Sequence, residues 1–340
     1  MSKKEIRSIE ELGEFGLIDH LTAPFQAQQN STHTAIGDDA AVLDHGGYLQ
    51  VVSTDLLLEG IHFDLVYTPL KHLGYKAVVV NLADIYAMNA APRQITISLG
   101  VSGKFSVEAL EEFYAGVQLA CERFKVDLVG GDTSASMTGL LISVTAIGTV
   151  LKEDLSLRST AKENNLVCVT GDLGAAFMGL KVLEREKQLH AEDPQFQPEL
   201  KGYDYILERY LKPECPVKQL LALKEAGIVP TSMIDISDGL SSELLQLCKA
   251  SGLGCQVYGD RIPLARETAE AAEEFQIEAL VAALHGGEDY EMLFTVALSD
   301  YDKVALLEGV SVIGNMTGEA QQPLLIGGDG KGIVLQAQGW

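Results

Sequence analysis

The sequence predicts a two-domain α/β protein. Apolar runs of strand length alternate with longer segments of helical periodicity. Several of those runs end in Gly-containing turns that carry acidic residues, as strand ends do in α/β folds. A polar, charged stretch at residues 152–165 interrupts the pattern and divides the chain into residues 1–150 and 151–340. At 340 residues, each half is long enough to bury its own core.

The elements follow in order. Ser8 and Glu11 have the spacing of a capping box, so a short amphipathic helix is expected to reach about His20. A polar stretch at 26–34 leads to Gly37-Asp38-Asp39, and residues 48–54 form a strand ending in Ser53-Thr54-Asp55. Thr68-Pro69 opens a helix that runs to about Ala90, before Pro92. Its apolar character on all sides implies burial on several faces. Residues 94–101 alternate as a strand, 106–124 form an amphipathic helix, and 126–129 form a short strand turning at Gly130-Gly131-Asp132. Residues 140–150 are another strand. In the second half, a strand at 166–170 precedes Gly171-Asp172-Leu173-Gly174 and a helix. Residues 189–202 read as a polar, Pro-containing insertion. A strand at 233–236 leads into Ser237-Asp238-Gly239 and a helix closing near Gly252. Residues 267–285 are mostly helical, Gly286-Gly287-Glu288-Asp289 precedes a strand at 290–296, and short strands close the chain.

Composition narrows the function. The net charge of −23 repels nucleic acid and anionic membranes, so neither is an expected partner. It also repels phosphate compounds unless cations stand between. The cysteines, Cys121, Cys168, Cys215, Cys248 and Cys255, contain no Cys-x-x-Cys pair and fit buried thiols in a reducing, cytoplasmic setting. The charged N-terminus precedes no apolar core, so no signal peptide is expected. The apolar run at 140–151 falls short of the ~20 residues of a membrane span.

Aspartates recur where strands end: Asp38 and Asp39, Asp55, Asp132, Asp235 and Asp238. Brought together, such carboxylates need cations, and hard oxygen donors beside Ser and Thr suit Mg²⁺. Singly, an Asp before Gly is an ordinary turn residue or cap, and Asp132 alone reads as a turn. Asp84 differs, because it interrupts an apolar helix and is therefore either a ligand or a buried, hydrogen-bonded carboxylate. The sequence contains no Walker loop and no protein-kinase loop set. Arg158, in the polar segment, reads by itself as a solvated surface arginine.

Together these motifs resemble the thiamine-monophosphate kinase family, of the aminoimidazole-ribotide-synthetase-like superfamily. The resemblance rests on Gly37-Asp38-Asp39-Ala40-Ala41-Val42, Ser53-Thr54-Asp55 with Glu59-Gly60-Ile61-His62-Phe63, and Asn81-Leu82-Ala83-Asp84. It continues through Gly130-Gly131-Asp132, Met233-Ile234-Asp235-Ile236-Ser237-Asp238-Gly239-Leu240 and Gly286-Gly287-Glu288-Asp289-Tyr290, and includes residues 11–18. It implies a two-domain superfamily fold and a homodimer built through the N-terminal domains, with ATP bound near that interface. It implies several Mg²⁺ ions held by Asp39, Ser53, Thr54, Asp55, Asp84, Asp132, Asp235 and Asp238. It implies ATP contacts at Tyr114, Gly131, Asp132, Arg158 and Ser237, and acceptor contacts at His62, Glu288 and Trp340.

The activity so implied is ATP-dependent phosphorylation of thiamine monophosphate to thiamine diphosphate, the last step in making that compound. A phosphate monoester with a second pKa of ~6 is largely ionised near pH 7, so no general base and no phosphoenzyme are expected. His62 then positions the acceptor. Two other readings stand beside this one: a sibling activity of the superfamily, such as aminoimidazole-ribotide or selenophosphate synthesis, and a non-catalytic divalent-cation-binding protein. Selenophosphate synthetase uses Cys or selenocysteine near its N-terminus, whereas the first cysteine here is Cys121.

Overall fold

The computed structural model describes residues 13–193, 195–318 and 322–337. The expected capping box at Ser8 and Glu11 lies outside them. The first helix, α1, is Gly13–Thr22.

Residues 32–150 build the first sheet. Its strands are β1 (Thr32–Thr34), β2 (Ala41–Asp44), β3 (Leu49–Leu58), β4 (Ala91–Val101), β5 (Asp127–Ala135) and β6 (Leu141–Val150), in the order β1-β2-β3-β6-β4-β5. Every pairing is antiparallel except β4 with β5. Helix α2 (Leu70–Ala87) lies against β3, β4 and β6. Helix α3 (Val107–Phe124) covers α2, with Ser106 capping it by accepting the Ala109 N–H at 3.3 Å. The two helices cross at glycine. A Cβ on Gly74 would meet the Phe113 carbonyl oxygen at 2.0 Å, and one on Gly116 would meet that of Lys71 at 1.9 Å.

The second sheet holds β7 (Leu166–Thr170), β8 (Ser232–Asp235), β9 (Gly254–Tyr258), β10 (Met292–Val296), β11 (Val310–Thr317), β12 (Leu324–Ile326) and β13 (Gly332–Val334). Their order is β13-β12-β9-β11-β7-β10-β8. Among the described residues seven helices accompany it: α4 (Ala175–Glu192), α5 (Asp204–Leu211), α6 (Val217–Glu225), α7 (Leu240–Ser251), α8 (Arg266–Glu274), α9 (Ala279–His285) and the short α10 (Tyr301–Val304). Helix α2 touches β8 and α5 as well as its own sheet. That double contact explains why the helix is apolar on nearly every face: its residues from Leu73 to Ala83 are all buried.

Three expectations need correction. Gly130-Gly131-Asp132 is not a turn after a short strand, because β5 continues through it to Ala135. Parallel pairing with β4, Ile97 opposite Gly131 and Ser98 opposite Asp132, overrides the turn preference of the glycines. The insertion at 189–202 is helical as far as Glu192. Helix α2 starts at Leu70, with Pro69 as its cap, and ends at Ala87. Helices α5 and α6 stand where the sequence suggested no element. Among the described residues no helix is long and apolar enough to cross a membrane.

Candidate active site

The site grows from the face that β3 turns toward α2. Alternation along the strand puts Ser53 and Asp55 on the same side as buried Leu49 and Val51. From α2, Asn81 accepts the Asp55 backbone N–H at 3.0 Å, and Asp84 accepts the Ser53 hydroxyl at 2.5 Å. One helix thus fixes both the strand's backbone and its side chains. Thr54 faces the other way, where its hydroxyl donates to the Val144 carbonyl at 3.0 Å and accepts from Thr145 at 3.1 Å. Its side chain is not among the groups drawn together.

Two further aspartates arrive from elsewhere. Asp39 sits in the turn between β1 and β2. Asp235 ends β8 and is 4% exposed. One carboxylate oxygen each from Asp39, Asp84 and Asp235 lie within 4.8 Å of one another. Asp55 is close enough to act on Asp84 and Asp235 electrostatically. Burial first, then repulsion from Asp55, Asp235 and Asp39, drives the Asp84 carboxyl well above its usual range. Asp235 is driven up by burial and then by Asp39, with Arg158 opposing. Burial pushes Asp55 to about 6.

Arg158 corrects the sequence reading: it is partly buried and ion-paired rather than freely solvated. Its Nε and Nη2 donate to the two Asp39 oxygens at 3.0 and 2.5 Å. Asp38 accepts the Arg158 backbone N–H at 3.1 Å, and the hydroxyls of Ser232 and Ser251 donate to its carbonyl. A short 3₁₀ turn, Arg158–Thr160, is held in this way beside the carboxylates.

The loop from α9 to β10 brings in Glu288. Gly287, Glu288 and Tyr290 all take left-handed backbone, with φ of 69°, 60° and 52°. Hydrogen bonds to the 236–237 segment hold that strain: Glu288 N–H to the Ser237 carbonyl at 2.6 Å and Tyr290 N–H to the Ile236 carbonyl at 2.8 Å. Asp289 points away and accepts the Gly174 N–H at 2.8 Å at the start of α4. Asp238 stands just before α7, its N–H bonded to buried Glu243 at 2.9 Å. His62 lies near Glu288, and its Nδ1 accepts the Leu58 N–H at 3.1 Å. Burial lowers its pKa, against the pull of Glu288. A neutral ring that accepts at Nδ1 carries its proton on Nε2 and donates from there.

Tyr114, Gly131 and Asp132 stand apart. Tyr114 is on the outer side of α3 and is 37% exposed. Gly131 and Asp132 lie on β5, an exposed edge strand separated from β3 by β6 and β4, a spread of roughly 14 Å. Trp340 lies outside the described residues. The sequence reading passed over Lys76 and gave no site role to Asn81 or Asp38, although both stand in its motifs. Lys76 carried the same signal as Asp84, a charge inside an apolar helix.

The arrangement suits a cation-assisted reaction of anions. Crowded, buried carboxylates with Arg158 as their nearby counter-charge form a hard-oxygen donor set that divalent cations satisfy.

Comparison with known proteins agrees. Residues 37–150 match the family model for AIR synthase related protein, N-terminal domain. The chain is 30% identical to the thiamine-monophosphate kinase of Bacillus subtilis over 97% of its own length and 99% of that protein's. It is 36% identical to that of Synechococcus elongatus, covering 92% and 90%. The solved structure of AaThiL complexed with AMPPCP and TMP superposes with a TM-score of 0.83 at 29% identity, covering 99% of each chain. On this likeness in sequence and fold, the chain belongs to the thiamine-monophosphate kinase family and is a kinase.

Proposed function

We propose that this protein transfers the γ-phosphoryl group of ATP to thiamine monophosphate, completing thiamine diphosphate, by direct in-line transfer. The observation that carries the reading is the convergence of Asp39, Asp84 and Asp235 from three separate elements within 4.8 Å, with Asp55 beside them. Those four, with Ser53 and Asp238, are the residues that would hold Mg²⁺. Bound there, the ions would neutralise the charge between the two phosphates and align them.

The chain's own residues supply the rest. The acceptor phosphate is already ionised, so no general base is required. His62, neutral and donating from Nε2, orients the acceptor, and Glu288 faces it. Ser237 and Arg158 would meet the nucleotide's phosphates, Arg158 from its place beside Asp39. Gly131 and Asp132 lie at the open edge of the first sheet, and Tyr114 is exposed on α3. That edge is exposed along its whole length and includes Leu128 and Val129. It supports a homodimer formed through residues 1–150, with ATP near the interface and residues 151–340 completing the nucleotide and acceptor sites. The free cysteines fit a reducing cytoplasmic setting.

The test is a kinase assay of the full chain with ATP, thiamine monophosphate and Mg²⁺, scored by chromatography for thiamine diphosphate. Metal-dependent formation of the diphosphate is the expected result. Metal binding with no ATP turnover, or a cyclised or selenylated product from a substrate panel, overturns the reading.

A further inference from the structure

Lys76 sits in the N-terminal half of α2 and is 2% exposed. Its neighbours on the helix are apolar, so an ammonium group there is tolerated only with close partners. It has three. It pairs with the Glu288 carboxylate, donates to the Tyr210 carbonyl at 3.2 Å, and stands 4.1 Å from the centre of the Tyr210 ring. Those contacts account for the ammonium's donors and leave it no reach to solvent.

Glu288 is built differently. Its side chain is 27% exposed, so the carboxylate faces Lys76 on one side and open space on the other. Its backbone is left-handed, with φ of 60°, and it lies close enough to His62 to act on that ring. Tyr210 lines a cleft of about 380 Å³ with Gly60, Ile61 and Phe63, the residues flanking His62. Lys76 is therefore a hidden charge behind Tyr210, tied to a partly exposed carboxylate beside His62. Further along the same helix, about 12 Å away at ~1.5 Å per residue, Asp84 stands among the metal-type carboxylates.

We propose that Lys76 is a positioning residue for the phosphate acceptor: it holds the Glu288 carboxylate beside His62 and so sets acceptor affinity, without contact with the nucleotide. This rests on the kinase reading above, in which Glu288 and His62 meet the acceptor.

Lys76→Met keeps the length and the apolar packing and removes the charge. The variant is expected to raise KM for thiamine monophosphate about tenfold, with KM for ATP and kcat changed less than about threefold. Glu288→Gln should raise the same KM, and adding Lys76→Met to it should have little further effect, because the two act as one unit. An unchanged acceptor KM in Lys76→Met, or an equal fall across both substrates and kcat together with a lowered Tm, overturns the proposal. If Lys76→Met does not fold, Glu288→Gln decides, since unchanged binding of thiamine monophosphate by calorimetry overturns it equally. A wild-type chain that makes no thiamine diphosphate sinks the kinase reading instead, so the two failures are distinguishable.

Discussion

The two ends of α2 solve the problem of buried charge in opposite ways. At one end, Asp84 joins Asp39, Asp55 and Asp235, and the group is left with more negative charge than Arg158 offsets. At the other, Lys76 and Glu288 balance. An unbalanced buried cluster is unstable until something arrives to complete it, whereas a balanced pair is complete and serves to hold a group in place. The difference separates the part of the site that awaits cations from the part that shapes the acceptor pocket.

The comparison breaks most sharply at the unbalanced end. Asp84→Asn or Asp55→Asn should lower kcat at least ~100-fold. In metal-free protein the Asp84 change should raise Tm by roughly 2–4 °C, because a repelling charge is gone. Calorimetry in chelator with parallel rate measurements tests both, and near-normal rates at limiting Mg²⁺ remove the idea of a metal cluster. Removing the counter-charge should act the other way. Arg158→Gln leaves Asp39 buried without its guanidinium and should cost about 3 kcal/mol, read by urea unfolding.

Proton linkage gives a subtler signature. Asp38 and Asp55 hold their protons to about 7 and 6 in the folded chain, against 3.8 for the ordinary side chain. The folded state then binds more protons than the unfolded state across that interval. Their contribution to metal-free stability is greatest below about pH 4 and is lost as pH rises through 6 to 7. Unfolding in chelator across that range should show the decline, Asp55→Asn should flatten it, and excess Mg²⁺ should reverse it. The smallest effect sharpens the geometry of β3. Thr54→Val should change kcat by less than about threefold, because the side chain faces away from α2. Ser53→Ala, one residue away on the inner face, should lower it about tenfold. Equal losses would deny the role of strand alternation.

Much of this site was legible as local pattern. Asp84 announced itself as a carboxylate inside an apolar helix, residues 106–124 as an amphipathic helix, and Thr68-Pro69 as a helix start. Asp235 stood at the end of β8 as expected, whereas β3 continues past Asp55 to Leu58, because its pairing with β6 extends to Leu58 opposite Leu141. Lys76 was no less visible in sequence, but a lysine reads as a surface residue until its partner is known, and Glu288 lies far along the chain. Arg158 was misread for the same reason, since its polar neighbours say nothing of Asp39. The strand through Gly130 and Gly131 was hidden because glycine has no side chain to reveal pairing with β4.

By itself, then, the sequence determined where most of the long strands and helices lie, which helix is buried on nearly every side, and which motifs carry acid, because these depend on residues close along the chain. Only the tertiary structure decided which carboxylates meet, which of them are matched by Arg158 and Lys76, and that Thr54 is turned away. Those outcomes depend on contacts between distant segments, and charge acts through distance in space rather than along the chain.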